Sequence, residues 1–198
     1  MACKLTLGRL VDCKDQIGGL KKIFFCESYC GDIKAEASFT ANVMTTAGFA
    51  NWDIVSVGKV NVFQYDLRPN LSSMTVNINS DPATGTTWFE QTLSLTLQKL
   101  TVAQTNELKL ICYNRVQIFV QDANDNVFLL GFDNGVDVSG GTAVTGAAKS
   151  DLTGYTLELR AEEKDPMFFI KKTNGSGTDY PFDQLGDADS ELTIVSGT

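Results

Sequence analysis

Few of the residue types that carry chemistry are present here in an arrangement that would use them. The chain has no histidine. That excludes Ser-His-Asp and Cys-His nucleophiles, histidine general bases and the usual mononuclear zinc sites. Carboxylates remain. Glu158 and Glu162 fall on one face of an alternating segment, but Arg160 stands between them, which is the pattern of ordinary cross-strand surface charge. A carboxylate pair for glycosidic cleavage is placed by the fold and not by spacing along the chain. We therefore expect no enzyme, no catalytic residue and no cofactor.

Three further patterns look like sites and lack a required part. Gly141 and Gly146 have phosphate-loop spacing, but Ala147 and Ala148 precede Lys149-Ser150 where Lys must follow the last glycine directly. Asp122, Asn124, Asn126 and Asp133 resemble a calcium loop, but Val127 occupies the glycine position. A turn rich in Asx residues explains that segment better. Asp183, Asp187, Asp189 and Glu191 read as a solvated acidic stretch. The sequon at Asn174 means little in a chain without an export signal. The five cysteines are Cys3, Cys13, Cys26, Cys30 and Cys112; an odd number with no export signal favours free thiols. The alternative is zinc on Cys26 and Cys30, which would need Cys3 and Cys13 to complete a four-thiolate cage.

The elements that would position any site are strands. Leu93, Leu95 and Leu97 alternate with Thr92, Ser94, Thr96 and Gln98, the two-residue period of a strand with one apolar and one small polar face. Tyr155, Leu157, Leu159 and Ala161 alternate with Thr156, Glu158, Arg160 and Glu162 in the same way. Strands are also expected at 4–7, 20–28, 54–67 and 73–80. Beyond the single helix further strands are expected, with Val116, Ile118 and Val120 alternating, then "VFLLGFD", "VDVSGGTAVTG" and "MFFIKK". Residues 31–54 have no clear period. Asp122–Asn126 reads as a hairpin turn, and Asn134-Gly135 as a type I′ turn. Gly140–Ser150 reads as a Gly/Ala/Thr loop between strands. One helix is expected near 102–112, with Thr101 as N-cap and Gln104 completing a capping box.

These elements predict a mainly β fold, an antiparallel sandwich or barrel with one short helix. Leu93, Leu95, Leu97, Leu108, Ile111, Ile118, Val120, Leu157 and Leu159 should form its core. At 198 residues and 43% hydrophobic composition, residues 1–172 suffice for a single domain, and 173–198 read as a flexible acidic extension. No apolar run reaches the ~18 residues of a membrane helix and no signal peptide is evident, so synthesis in cytoplasm and no membrane partner are expected. Net charge is −8, and it is uneven: residues 1–99 hold nine acids and nine bases, residues 100–198 fifteen acids and seven bases. Such a chain would repel a phosphate backbone.

The segments "TGTTWFEQTLSLTLQKL", "NELKLICYNRVQIFVQDANDNVFLLGFDNGVDVSGG" and "TGAAKSDLTGYTLELRAEE", together spanning 84–163, and the opening "LVDCKDQIGGLKKIFF" resemble tail-tube or ring proteins of crAss-like and related tailed phages of Bacteroidetes hosts. The resemblance implies a β subunit of the virion that forms homo-oligomeric rings around a passage for double-stranded DNA, with other tail or portal proteins as neighbours. It implies no catalytic residue. On it, Thr92, Ser94, Thr96, Gln98, Gly140, Gly141 and Gly146 are candidates for subunit contacts, because a polar uncharged face can pack against protein without desolvating charge; a merely solvated face is the other reading. Asp122, Asp125, Asp137, Glu158 and Glu162 are candidates for lining the passage. The alternative function is a small-ligand or receptor-binding barrel with Trp88, Phe89 and Tyr155 around a pocket.

Overall fold

The computed structural model describes residues 9, 14–26, 38–40, 43–46, 60–170, 182 and 192–196. The chain builds β1 (Leu20–Cys26), β2 (Ser38–Thr40), β3 (Val43–Thr46), β4 (Val60–Asp66), β5 (Ser73–Asp81) and β6 (Thr86–Gln98). Helix α1 (Val102–Tyr113) follows. Then come β7 (Ile118–Asp122), β8 (Val127–Leu130), β9 (Asp137–Val144), β10 (Gly154–Glu163), β11 (Phe168–Ile170) and β12 (Leu192–Ser196). The strand expected at 4–7 lies outside the described residues.

The strands form two sheets, one of eight in the order β12-β4-β1-β7-β8-β11-β3-β2 and one of four in the order β5-β6-β10-β9. Pairing is antiparallel except for β11 with β3 and β12 with β4. Neither sheet closes on itself, so the architecture is a sandwich and not a barrel. Within 173–198, residues 192–196 enter the larger sheet as β12 and Phe182 is buried; the remaining residues of that stretch lie outside the described ones.

The alternation of β6 and β10 sends their leucines inward, against β1, β7 and β8. Leu93, Leu95, Leu157 and Leu159 share one buried cluster with Ile23, Phe25, Ile118, Val120 and Leu130. The other face of the larger sheet is covered as well, by a cluster that joins Phe24, Phe119 and Leu129 to Phe168 and Phe182. Burial on both faces explains why β7 and β8 show no apolar–polar alternation (IFVQD, VFLL). Of the expected core, Leu97 and Ile111 are only half-buried; the other seven are buried.

Helix α1 starts as its capping signal requires: Gln104 N donates to Thr101 Oγ1 at 3.2 Å. Thr105 Oγ1 lies 2.5 Å from Tyr155 Oη and Leu108 is buried, which ties the helix to β10, and it packs beside β9.

Two local expectations are corrected. Asn134-Gly135 is not a type I′ turn, which needs positive φ at both positions. Gly135 has φ 76°, but Asn134 does not share that sign. The connection is a wider loop closed by Gly135 N donating to Gly131 O at 3.1 Å. It is held from below by Gln91 Oε1, which accepts from Gly131 N, and by Glu163, which accepts from Asp133 N and Asn134 N. Gly140–Ser150 is not a loop throughout, because residues 140–144 are strand β9 paired with β10. Glycine makes this closeness achievable: a Cβ on Gly141 would stand 2.6 Å from Thr156 O.

Candidate assembly surface

The outer face of the four-stranded sheet gathers most of the candidate residues. Its register sets Ser73, Ser94, Glu158 and Gly140 in one row across β5, β6, β10 and β9. The next row holds Thr75, Thr92, Arg160 and Asp137, and another Asn77, Glu90 and Glu162. On the other side of the Ser94 row stand Thr96, Thr156 and Thr142, the last two with hydroxyls 2.6 Å apart, and then Gln98. The contact candidates Thr92, Ser94, Thr96 and Gln98 and the passage candidates Asp137, Glu158 and Glu162 thus occupy one surface. Gly140 joins them at the β9 edge, Gly141 turns inward, and Gly146 lies in the turn after β9 with φ 70°.

Arg160 is the single cation of this face. Its Nε lies 2.9 Å from Glu90 Oε1, and its guanidinium also reaches Glu162 Oε1 at 2.8 Å. All three side chains keep solvent contact, so these pairs are weak contributors to stability. Glu158 and Asp137 are exposed. At the β5 end Asp81 accepts from Ala83 N at 2.9 Å, and this bond with help from Thr84 holds its carboxyl below the ordinary aspartate range. Five carboxylates and one guanidinium leave the face acidic, on a ground of Thr, Ser, Asn and Gln.

Asp122 and Asp125 lie elsewhere, in the β7–β8 hairpin of the larger sheet. Asp122 Oδ1 accepts from Asn124 N at 2.9 Å and Asn126 N at 2.7 Å, and Oδ2 accepts from Asn126 Nδ2 at 3.0 Å. Asp125 Oδ1 lies 2.7 Å from Lys21 Nζ. These carboxylates organise the turn, as the Asx-rich sequence implies. Asp122→Ala is expected to cost about 1–3 kcal/mol, because two part-buried backbone N–H groups lose their acceptor; thermal unfolding of the single variant measures it.

A second feature is a groove of about 600 Å³ at one end of the sandwich, lined among others by Tyr65, Leu97, Gln104, Glu107, Tyr155 and Val195. Burial, with a smaller contribution from Glu107, raises the Tyr65 phenol above its ordinary pKa. Of the three aromatics expected around a pocket, Tyr155 lines this groove. Trp88 and Phe89 stand at the other end of β6 and do not. Among the described residues no three His, Cys, Asp or Glu side chains are placed to hold a metal ion. Cys26 is buried and Cys112 exposed; Cys3, Cys13 and Cys30, and with them the zinc alternative, lie outside the described residues. No helix among the described residues is long and apolar enough to cross a membrane.

Buried polar groups on the inner face escaped the sequence reading. Gln91 and Glu163 occupy inward positions of β6 and β10 and are buried. The signal was available, since both interrupt an apolar parity.

Comparison with known proteins adds little. No protein-family model and no curated protein matches the chain. Among solved structures it is similar to a chain of the "Virion of native gene transfer agent (GTA) particle", with 6% identity, a TM-score of 0.33, and coverage of 52% of this chain and 84% of that one. A likeness at that TM-score carries no argument about function.

Proposed function

We propose that the protein is a non-enzymatic structural subunit of a virion, assembling with its own copies into rings of a tail tube or neck through which double-stranded DNA passes. The observation that carries this reading is the outer face of the four-stranded sheet. It is broad and acidic, with Trp88 exposed at one end beyond Glu90 and strand edges at both sides. One face cannot both be covered by a neighbour and line a passage. Its excess of carboxylates favours lining, because a surface that attracted phosphates would hold the DNA it must release. Thr92, Ser94, Thr96 and Gln98 then line the passage beside Asp137, Glu158 and Glu162. Subunit contacts fall to the edges: β9 with Gly140 and Gly141, and β5, which has neither Lys, Arg nor Pro to block pairing. The virion setting rests on the sequence resemblance over 84–163.

The test compares the wild type with the double variant Asp137→Lys/Glu158→Lys, both at exposed positions. Both proteins should form rings visible by negative-stain imaging. Only the variant should retain linear double-stranded DNA at low salt and release it as salt is raised. Covalently closed circular DNA cannot thread a ring and should not be retained. Equal retention of circular and linear DNA would place this face on the outside. A wild type that stays a single chain at high concentration would remove the ring itself, and the groove beside Tyr155 would then favour the small-ligand alternative.

A further inference from the structure

We propose that the groove between α1 and the β4–β12 margin of the larger sheet is a binding site for the end of an uncharged saccharide. This goes beyond the structural role above and does not depend on it.

The groove exists because the two sheets differ in width. The larger sheet continues past β1 with β4 and β12, while the smaller sheet has four strands. Phe63 and Tyr65 stand opposite Phe25 and Ile23, which face the core between the sheets, and Val195 is level with Phe63. These three side chains therefore face one side, and the wall across from them is α1. Leu108 is the buried residue of the helix, so the rest of α1 stands off from the sheet and leaves the space of about 600 Å³. Small-molecule sites span about 300–1,000 Å³ and are usually preformed. This one is: the Thr101 cap and the Thr105–Tyr155 contact fix the helix, and Tyr65 packs edge-on against Phe25 with centroids 5.2 Å apart.

The lining has two parts. Phe63, Tyr65 and Leu97 are half-buried and make an apolar floor. Gln98, Gln104 and Glu107 are exposed on the rim. Gln104 and Glu107 lie one turn apart on the helix face that also holds Ala103 and Leu108. Among the described residues none of these three rim side chains makes a hydrogen bond or an ion pair. Their donors and acceptors are open to a ligand.

That combination selects the ligand. Asp66 and Glu107 are balanced by Arg68 and Lys99, so an ion of either sign meets a like charge in the groove. Carboxylate and amide groups each offer two polar atoms in one plane, which neighbouring sugar hydroxyls can pair with together. A pyranose ring also has a C–H face, and the aromatic floor supplies an apolar surface for it. Burial raises the Tyr65 phenol above its ordinary pKa, so its hydroxyl stays a donor at neutral pH. An aliphatic ligand would cover the rim groups without pairing them, which costs free energy.

The test is isothermal titration of the full chain with maltose, cellobiose, lactose and N,N′-diacetylchitobiose. At least one should bind with a Kd of ~1 mM or tighter. Gln104→Ala/Glu107→Ala should weaken that binding about tenfold or more, and Lys149→Ala, in the turn after β9, should leave it unchanged. Circular dichroism and melting temperature check folding; should the double variant fail, Gln98→Ala/Glu107→Gln tests the same rim. The proposal is overturned if none of the four sugars binds, or if the rim variant binds like the wild type. Citrate is the anionic probe: citrate binding that Arg68→Ala/Lys99→Ala abolishes, with no sugar bound, makes the groove an anion site and also overturns it. Negative-stain imaging of the same protein keeps the two readings apart. Rings without sugar binding remove this inference alone, and sugar binding by a chain that forms no rings removes the ring alone.

Discussion

Leu159→Ala is expected to destabilise the protein by about 2–5 kcal/mol, the range for truncating a fully buried leucine. Leu159 has no exposed surface. It stands on β10, one of the two central strands of the smaller sheet, paired with Leu93 on β6 and Val138 on β9. Its side chain belongs to the cluster between the sheets, where strands on every side limit collapse into the space left behind. Urea unfolding would report the loss as a lower midpoint at unchanged slope. Leu97→Ala on the half-buried end of β6 serves as the comparison and should cost clearly less. An unchanged midpoint for Leu159→Ala would mean that the inward parity of β10 is misassigned.

Gly131→Ala should be comparably damaging for a different reason. Gly131 has φ 67°, a conformation that costs an ordinary L-residue roughly 1–2 kcal/mol. Space is short as well: an added Cβ would stand 2.7 Å from the Gly135 carbonyl carbon and 2.8 Å from Val136 N. These are backbone atoms of the same tight loop, and overpacking of this kind costs about 1–3 kcal/mol more. The loop cannot shift freely, since Gln91 and Glu163 hold it to the inner face of the smaller sheet. A total of about 2–5 kcal/mol follows from these two contributions. Gly140→Ala is the control, because nothing lies within 4 Å of its added Cβ. It should change the melting temperature little; equal loss at both positions would refute the loop argument.

Particular elements show why some of this was readable in advance. Strands β6 and β10 announced themselves because each has one face against a core and one against water, and that difference repeats every second residue. Helix α1 was legible at its start because an N-cap is a local interaction between Thr101 and an amide three residues on. The β7–β8 turn was legible because Asp122 bonds backbone within four residues. Strands β2 and β3 were not legible: they are three and four residues long, too short to display a period. The I′ expectation at Asn134-Gly135 failed because Gln91 and Glu163, distant in sequence, supply the acceptors that set the loop. Gly140 and Gly141 fell both in an expected strand and at the start of an expected loop, because glycine disfavours strands; the close approach of β10 is what favours the strand there.

The sequence by itself determined the β class, the alternating faces of β6 and β10, the place of helix α1, the exclusion of histidine chemistry and the acidic bias of the second half. All of these depend on residue type or on neighbours a few positions apart. Only the tertiary structure decided that Asp137, Glu158 and Glu162 share a face with Thr92, Ser94 and Thr96, because that depends on strand order and register. It alone removed Asp122 and Asp125 from that face by placing them in the other sheet. It also decided which apolar residues stay exposed. Leu108 and Ile111 were expected inward, and the packing buries Leu108, half-buries Ile111 and leaves Val102, Leu110 and Tyr113 exposed on the other side of the helix.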